Sequence, residues 1–309
     1  MRRARWLALG SVLTMAPWIV AAVVPRQQRY VLHVLIFTAL FAALALSYDL
    51  VVGHVGSLSL AHPAFFGIGA YAAAILSTRG RWPFLADVLA AVLAAAVVAA
   101  LVGVPLFRLA DHAFAVGTLG LALVASIVAN NWVEVTRGPL CITGIPKPAL
   151  VTTLPAFYGL ALTALVLVAL LYHGLTTFRL GRAFHAVRDN EPLAGAAGID
   201  PLKYRLLAFT IGAGLAGGIG ALYAHYLSVM CPEEMTIALT VNLLVIVFLG
   251  GVGSLRGVLV GAVLFTALPE ALRLAPTWRL VIYGALLLLV VVRSPEGLES
   301  LLRRVARRA

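Results

Sequence analysis

Long uncharged apolar runs recur along the whole sequence. A helix of about 20 apolar residues spans the hydrocarbon core of a bilayer, and such runs occupy 6–24, 31–50, 57–77, 84–107, 112–130, 150–173, 206–227, 237–252, 258–272 and 278–292. Because 62% of the 309 residues are hydrophobic and only 11% are charged, the chain cannot hide its apolar side chains in one water-soluble core. The sequence therefore predicts an all-α polytopic integral membrane protein with about ten transmembrane helices.

Two segments are open to more than one interpretation. Gly53, Gly56 and Pro63 interrupt residues 51–64, which is compatible with a re-entrant or broken helix. Residues 1–24 combine early arginines with an apolar run, and we favour an uncleaved first span over a signal peptide because no clear cleavage site follows. We expect residues 1–309 to form a single transmembrane domain that includes a cytoplasmic loop at 179–205.

The distribution of basic residues predicts the orientation. Cytoplasmic loops carry an excess of Lys and Arg, and most of the 23 basic residues fall inside if both termini are cytoplasmic, although Arg79 and Arg81 oppose this arrangement. We therefore predict an N-in, C-in topology with Glu233 and Glu234 outside. The net charge of +11 then reflects topology and contact with membrane lipids, and it is no indication of nucleic-acid binding.

The polar loop at 179–205 carries the start and stop signals of short helices. Asp189 and Asn190 can cap a helix, Gly198 can end it as a left-handed residue, and Asp200 before a proline can start the next one. A short helix held between two membrane helices suits the docking of a soluble partner.

The sequence lacks the motifs of an ATP-hydrolysing or metal-dependent enzyme. Neither Lys147 nor Lys203 follows the glycine-rich phosphate-binding pattern, and no HExxH, GxSxG or paired Cys/His spacing occurs. We expect no catalysis, cofactor or metal site on this chain, so any ATP must be used by another polypeptide. Charged residues are almost missing from the predicted spans, which disfavours an intramembrane enzyme or an ion-coupled secondary transporter.

Polar residues at membrane depth are candidates for a translocation path: Ser57, Ser59, His62, Asn130 and Asn242. His54 and His62 flank the glycine-rich break, where bonding to backbone carbonyls is the more usual role of an imidazole.

Glycines at 253, 257 and 261, and again at 214 and 218, are spaced by four residues. This spacing favours close helix packing over unwound backbone beside a path. The string VGSL occurs at 55–58 and at 252–255, which would suit an internal repeat, but so short a match also recurs by chance. Cys141 and Cys231 fall on predicted outer loops; we expect unpaired thiols, with a disulfide as the alternative.

Five further segments follow one another in a distinctive order: GHVGSLSLAHPAFFGIGAYAAAIL at 53–76, NNWVEVTRGPLCITGIPKP at 130–148, FRLGRAFHAVRDNEPLAGAAGI at 178–199, KYRLLAFTIGAGLAGGIGALYAHYL at 203–227 and FLGGVGSLRGVLVGAVL at 248–264. They resemble the M-type permease of branched-chain amino-acid ABC importers, over most of the chain. The resemblance implies a bacterial inner-membrane subunit that imports branched-chain or other apolar amino acids. It also implies a second, H-type permease, two soluble ATP-binding subunits and a periplasmic solute-binding protein. Import of urea, a short amide or an aromatic acid by the same type of machine is the alternative.

The resemblance makes residues 188–199 a coupling helix that enters a groove on the ATPase. Its predicted coupling residues are Arg188, Asp189, Asn190, Glu191, Pro192, Ala194, Gly195 and Gly198. We expect the small side chain of Ala194 to permit close approach to the ATPase. We also expect the stiff outer loop at 132–148 to contact the binding protein or gate the entrance, through Trp132, Pro139 and Pro146.

Overall fold

The computed structural model describes residues 28–149 and 151–271, and most of these residues are helical. In chain order the α-helices are α1 Gln28–Asp49, α2 His62–Arg79, α3 Phe84–Leu106, α4 Asp111–Asn131, α5 Val133–Thr136, α6 Leu154–Thr177, α7 Arg179–Asp189, α8 Glu191–Ala196, α9 Pro201–Leu227, α10 Ile237–Gly250 and α11 Leu255–Ala271. Shorter elements are a π-helical turn at Leu50–His54, 3₁₀ turns at Gly138–Leu140 and Pro232–Met235, and strands β1 Ile142–Thr143 and β2 Val229–Met230.

Five helices in these two ranges are long and apolar enough to cross a membrane: Arg29–His54, Phe84–Leu106, His112–Asn131, Leu154–Thr177 and Pro201–Leu227. The prediction of an all-α, multi-pass membrane protein is therefore confirmed. The predicted spans at 6–24 and 278–292 lie outside the described residues, so the count of about ten spans and the N-in, C-in orientation stay predictions.

The structure shows a break within residues 51–64, between α1 and α2. α1 runs into the π-helical turn, the chain then continues without helical structure to residue 61, and α2 begins at His62 with Pro63 in its first turn. Side chains alternate along this non-helical stretch: those of Val55, Ser57 and Ser59 are buried, whereas Gly56 and Leu58 are exposed. We call residues 55–61 the extended segment.

Hydrogen bonds hold the extended segment between three helices. Tyr48 of α1 donates to the carbonyl of Ser59 at 2.9 Å. The amide of Leu60 donates to Thr118 of α4 at 3.0 Å, and Thr240 of α10 donates to the carbonyl of Leu60 at 3.3 Å. The non-helical backbone is therefore supported within the protein, as backbone at membrane depth must be.

Close helix packing through glycine is confirmed at two contacts. In α9, Gly217 lies so close to Gly69 of α2 that a β-carbon on Gly69 would be 2.2 Å from the Gly217 carbonyl oxygen. In the α10–α11 pair, a β-carbon on Gly261 would lie 2.2 Å from the carbonyl oxygen of Ile246. Gly253 differs from this pattern, because it forms a left-handed turn (φ +76°) rather than a helix contact.

α9 connects two ends of the helical bundle. Its 27 residues begin beside α8 and finish beside β2, a length of about 40 Å. At the β2 end, β1 pairs antiparallel with β2, and a disulfide joins Cys141 to Cys231, whose Cα atoms are 4.5 Å apart. The expectation of free thiols was wrong, because the strand pairing brings together two cysteines that are 90 residues apart in sequence.

Candidate functional site: the coupling segment and the helix breaks

The loop at 179–205 folds into two short helices whose caps are those the sequence predicts. The Asn190 side chain accepts a hydrogen bond from the amide of Leu193 and caps α8. Gly198 adopts φ +83°, and the amide of Ile199 reaches back to the carbonyl of Ala194, which is the Schellman pattern for a helix end. The Asp200 side chain then caps α9 by accepting from the amide of Lys203.

α8 presents a different face from the one the sequence suggested. Ala194 is only 3% exposed and packs into this chain, whereas the neighbouring Leu193 is 66% exposed. Pro192 and Gly195 are exposed beside it, and no atom lies within 4 Å of a β-carbon built on Gly195. The rotation of α8 therefore turns Ala194 toward this chain and leaves Leu193 as the exposed apolar side chain of the helix.

Ion pairing anchors the start of α8 to α9. The carboxylate of Glu191 lies 2.8 Å from the guanidinium of Arg205. Glu191 is thus engaged within the chain, while Asp189 and Asn190 are exposed at the α7–α8 junction.

Arg188 at the end of α7 contacts the two VGSL strings. Its guanidinium donates to the carbonyl of Gly53 in the π-helical turn. A β-carbon on Gly56 would lie 3.0 Å from Arg188 Cγ, and one on Gly253 would lie 3.5 Å from its Nη1. Both of these glycines are left-handed, with φ values of +78° and +76°. The glycine of each copy is therefore left-handed and lies close to the same arginine.

A buried polar cluster lies beside these turns, and the sequence analysis missed it. Tyr172 of α6 donates to Asp49 at the end of α1, and its hydroxyl also lies 2.7 Å from Nε2 of His54. Nδ1 of His54 lies 3.3 Å from Nε2 of His185 on α7, and the amide of Gly253 donates to Asp49 at 2.9 Å. The signal available in the sequence was Asp49 itself, an acidic residue ending an apolar run just before a glycine-rich break.

The predicted path residues do not share one open surface. Ser57, Ser59 and His62 are buried, and His62 is hydrogen-bonded through Nε2 to Ser47 at 2.9 Å. Asn130 is exposed near the disulfide end, and Asn242 is half-buried on α10. The side chains of the extended segment that reach the surface are Leu58 and, in part, Leu60.

The predicted docking residues lie on the disulfide end of the bundle. Trp132, Pro139 and Pro146 are all exposed there, together with Leu140, which is 77% exposed. The disulfide and the β1–β2 pairing hold this loop against the α9–α10 connection.

A second buried carboxylate, also missed from the sequence, lies under this loop. Asp87 in the first turn of α3 is fully buried, 3.8 Å from Nε2 of His225 on α9, and neither of its carboxylate oxygens has a hydrogen-bond partner within the described ranges. Nδ1 of His225 donates to the carbonyl of Pro146 at 2.7 Å. This contact ties the loop at 132–148 to α9. Across residues 28–149 and 151–271, no group of three or more His, Cys, Asp or Glu residues is arranged to hold a metal ion.

Comparison with known proteins identifies the family of this chain. The family model described as "Branched-chain amino acid transport system / permease component" matches residues 30–291. The chain is 33% identical over 298 residues to the high-affinity branched-chain amino acid transport system permease protein LivM of Escherichia coli K12, covering 86% of this chain and 69% of that protein. It is 27% identical over 283 residues to the LivH permease of Salmonella typhimurium, covering 84% and 90%.

A more distant likeness extends to the autoinducer 2 import system permease protein LsrC of Klebsiella pneumoniae, at 30% identity over 201 residues, which is 60% of this chain and 56% of that protein. No solved structure matches this chain significantly. The family match covers most of the chain. It includes two helix breaks, at residues 55–61 and 251–254, and the capped helix α8. The chain therefore belongs to the permease components of branched-chain amino acid transport systems.

Proposed function

We propose that this chain is one of two permease subunits of an ABC importer that takes up branched-chain or other apolar amino acids across a bacterial inner membrane. The LivM and LivH relatives are both permeases of high-affinity branched-chain amino acid transport systems, and they support an H-type partner for this chain. The remaining proposed partners are two soluble ATP-binding subunits, a periplasmic solute-binding protein and membrane lipids. ATP is used by the ATP-binding subunits, and this chain binds no cofactor.

The observation that carries this proposal is the outward face of α8. Leu193 and Pro192 are exposed apolar side chains on a short helix whose two ends are capped. An exposed leucine on a rigid helix is suited to insertion into a groove of a soluble partner. The contacts of Arg188 with both helix breaks would carry movement of that partner into the bundle.

The extended segment supports a location for the translocation path. Irregular backbone at membrane depth is tolerated where it is buried in protein or lines a water-filled cavity, but not where it faces lipid. The exposed side of the extended segment, with Leu58 and Leu60, must therefore face the partner permease or the path. We propose that Leu58 and Leu60 line the path in preference to Ser57, Ser59 and His62, which are buried within this chain. The apolar side chains of the two leucines suit an apolar amino acid better than urea or a short amide.

The disulfide end is the proposed outer surface. A disulfide persists in an oxidising compartment such as the bacterial periplasm, and α9 separates this end from α8. With the disulfide outside, α8 faces the cytoplasm, in agreement with the charge distribution. Trp132 and Leu140 would then be available to the binding protein.

A pair of matched substitutions tests the proposal. Leu193→Glu adds a charge to the exposed face of α8, and Leu140→Glu adds the same charge at the other end, where the parent leucine is also exposed. We expect Leu193→Glu to abolish co-purification of the ATP-binding subunit and uptake of labelled leucine. Leu140→Glu should keep the ATP-binding subunit and reduce only uptake that depends on the binding protein.

Two results would contradict the proposal. Normal uptake and normal co-purification in Leu193→Glu would remove α8 as the docking element. An absence of ATP-dependent amino-acid uptake by the unsubstituted complex in proteoliposomes would remove the function itself. Deleting residues 140–147 is a poorer test, because it would also remove Cys141 and β1.

A further inference from the structure

Three separate parts of the chain meet beside α7. The end of α1 and its π-helical turn approach α7 through Gly53 and His54, and the turn at 251–254 approaches it through Gly253. α6 joins them through Tyr172. The close approach needs Gly53, since a β-carbon there would lie 2.2 Å from Asp49 Oδ1 and 2.6 Å from the amide nitrogen of Gly253.

The hydrogen bonds in this cluster have a defined direction. A carboxylate can only accept, so the single proton of the Tyr172 hydroxyl goes to Asp49. The Tyr172 oxygen must then accept from Nε2–H of His54, which leaves Nδ1 of neutral His54 to accept from Nε2–H of His185. The result is a continuous series of hydrogen bonds in which each group donates to the next, from His185 on α7 to Asp49.

Asp49 connects this series of hydrogen bonds to the turn at 251–254. Its carboxylate is fully buried and accepts from Tyr172 on one oxygen and from the amide of Gly253 on the other. Separating either donor would remove a hydrogen bond from a buried carboxylate, which is costly in a low-dielectric interior. The two breaks are therefore more easily moved together than apart.

We propose that Asp49, His54 and Tyr172 are positioning residues that make α7, the π-helical turn and the 251–254 turn move as one unit, so that movement of the coupling segment reaches both helix breaks. This inference rests on the proposed function, because it requires an ATP-binding subunit that moves α8 and α7. It adds that movement is transmitted by a specific series of hydrogen-bonded side chains and not by helix packing alone. Arg188 holds the same elements through the carbonyl of Gly53.

The test compares two conservative tyrosine substitutions. Tyr172→Phe removes the hydroxyl that links His54 to Asp49 and keeps the ring. Tyr71→Phe is the matched control, because the Tyr71 hydroxyl is buried and has no hydrogen-bond partner in the described part of the chain. Each variant is assembled with the second permease, the ATP-binding subunits and the binding protein in proteoliposomes, and ATP hydrolysed per leucine transported is measured.

We expect Tyr172→Phe to raise the ATP consumed per leucine by about tenfold, the size of a typical coupling free energy. Tyr71→Phe should leave this ratio unchanged, and the two variants should bind the ATP-binding subunit equally. A purely structural role for the Tyr172 hydroxyl would lower the yield of the complex without changing the ratio.

His185 provides a second test. It is the exposed member of the hydrogen-bond series, so a substitution there does not disturb the core. His185→Leu removes the donor to His54 and should raise the ratio, whereas His185→Gln can still donate and should keep it near that of the unsubstituted protein. Unchanged ratios in both Tyr172→Phe and His185→Leu would overturn the inference while leaving the proposed function intact. Failure of the unsubstituted complex to transport leucine with ATP would overturn both.

Discussion

The seam between α2 and α9 gives the sharpest test of the packing. A β-carbon on Gly69 would lie 2.2 Å from the Gly217 carbonyl oxygen, whereas ordinary contact begins at 3.4 Å. The difference, 3.4 − 2.2 = 1.2 Å, must come from moving one helix away from the other, because the clashing atoms belong to backbone. Overpacking lowers the free energy of unfolding by about 1–3 kcal/mol. The higher helix propensity of alanine raises it by about 1 kcal/mol. Since backbone cannot rearrange as a side chain can, we expect Gly69→Ala to lower stability by about 2 kcal/mol.

Thermal unfolding in detergent measures this effect. A loss of about 2 kcal/mol corresponds to a melting temperature lower by roughly 3 °C in a chain of this size, because the unfolding entropy grows with chain length. The matched control is Gly159→Ala on α6, where nothing lies within 4 Å of the new β-carbon, and its melting temperature should stay the same or rise. If Gly69→Ala melts at the same temperature as Gly159→Ala, the α2–α9 contact is not as close as described, and the argument fails.

Three other predictions concern the two ends of the bundle. Cys141→Ser should lower the melting temperature, because a bridge between residues 90 apart contributes at most about 4.5 kcal/mol to the free energy of unfolding. Cys231→Ser should add little in that background; additive losses would argue against the disulfide. Gly198→Val should weaken co-purification of the ATP-binding subunit, because a β-branched residue is strained at φ +83°. Gly174→Ala on α6, where nothing lies within 4 Å of a new β-carbon, should bind normally; equal binding by both variants would be evidence against a role for the α8 end. A cysteine in place of Asp189 should resist a membrane-impermeant thiol reagent in intact cells and react in inverted vesicles; labelling in intact cells would reverse the proposed orientation.

Features whose cause lies within a few residues were predictable from the sequence. Apolar runs at 84–107 and 112–130 correspond to α3 and α4, because the length of an apolar run by itself decides whether it can cross a bilayer. The caps at Asn190 and Gly198 were equally predictable, since each depends on one side chain and the adjacent backbone.

Features that depend on how helices turn and stack were not predictable in this way. Ser57 and Ser59 are polar residues at membrane depth, but the alternation of the extended segment points them inward and Leu58 outward. Ala194 faces the bundle and Leu193 faces away, a choice made by the rotation of α8 against the rest of the chain.

The pairings that matter most join distant parts of the sequence. Asp49 and Tyr172 are 123 residues apart, and the two cysteines are 90 residues apart. A buried carboxylate needs donors wherever the chain supplies them, and a short sequence window contains no information on which helix will bring those donors. Composition and local signals therefore determined that this chain crosses the membrane and where α8 begins and ends. Only the packing of the helices decided which polar groups meet, because those contacts form between elements that are neighbours in space and not in sequence.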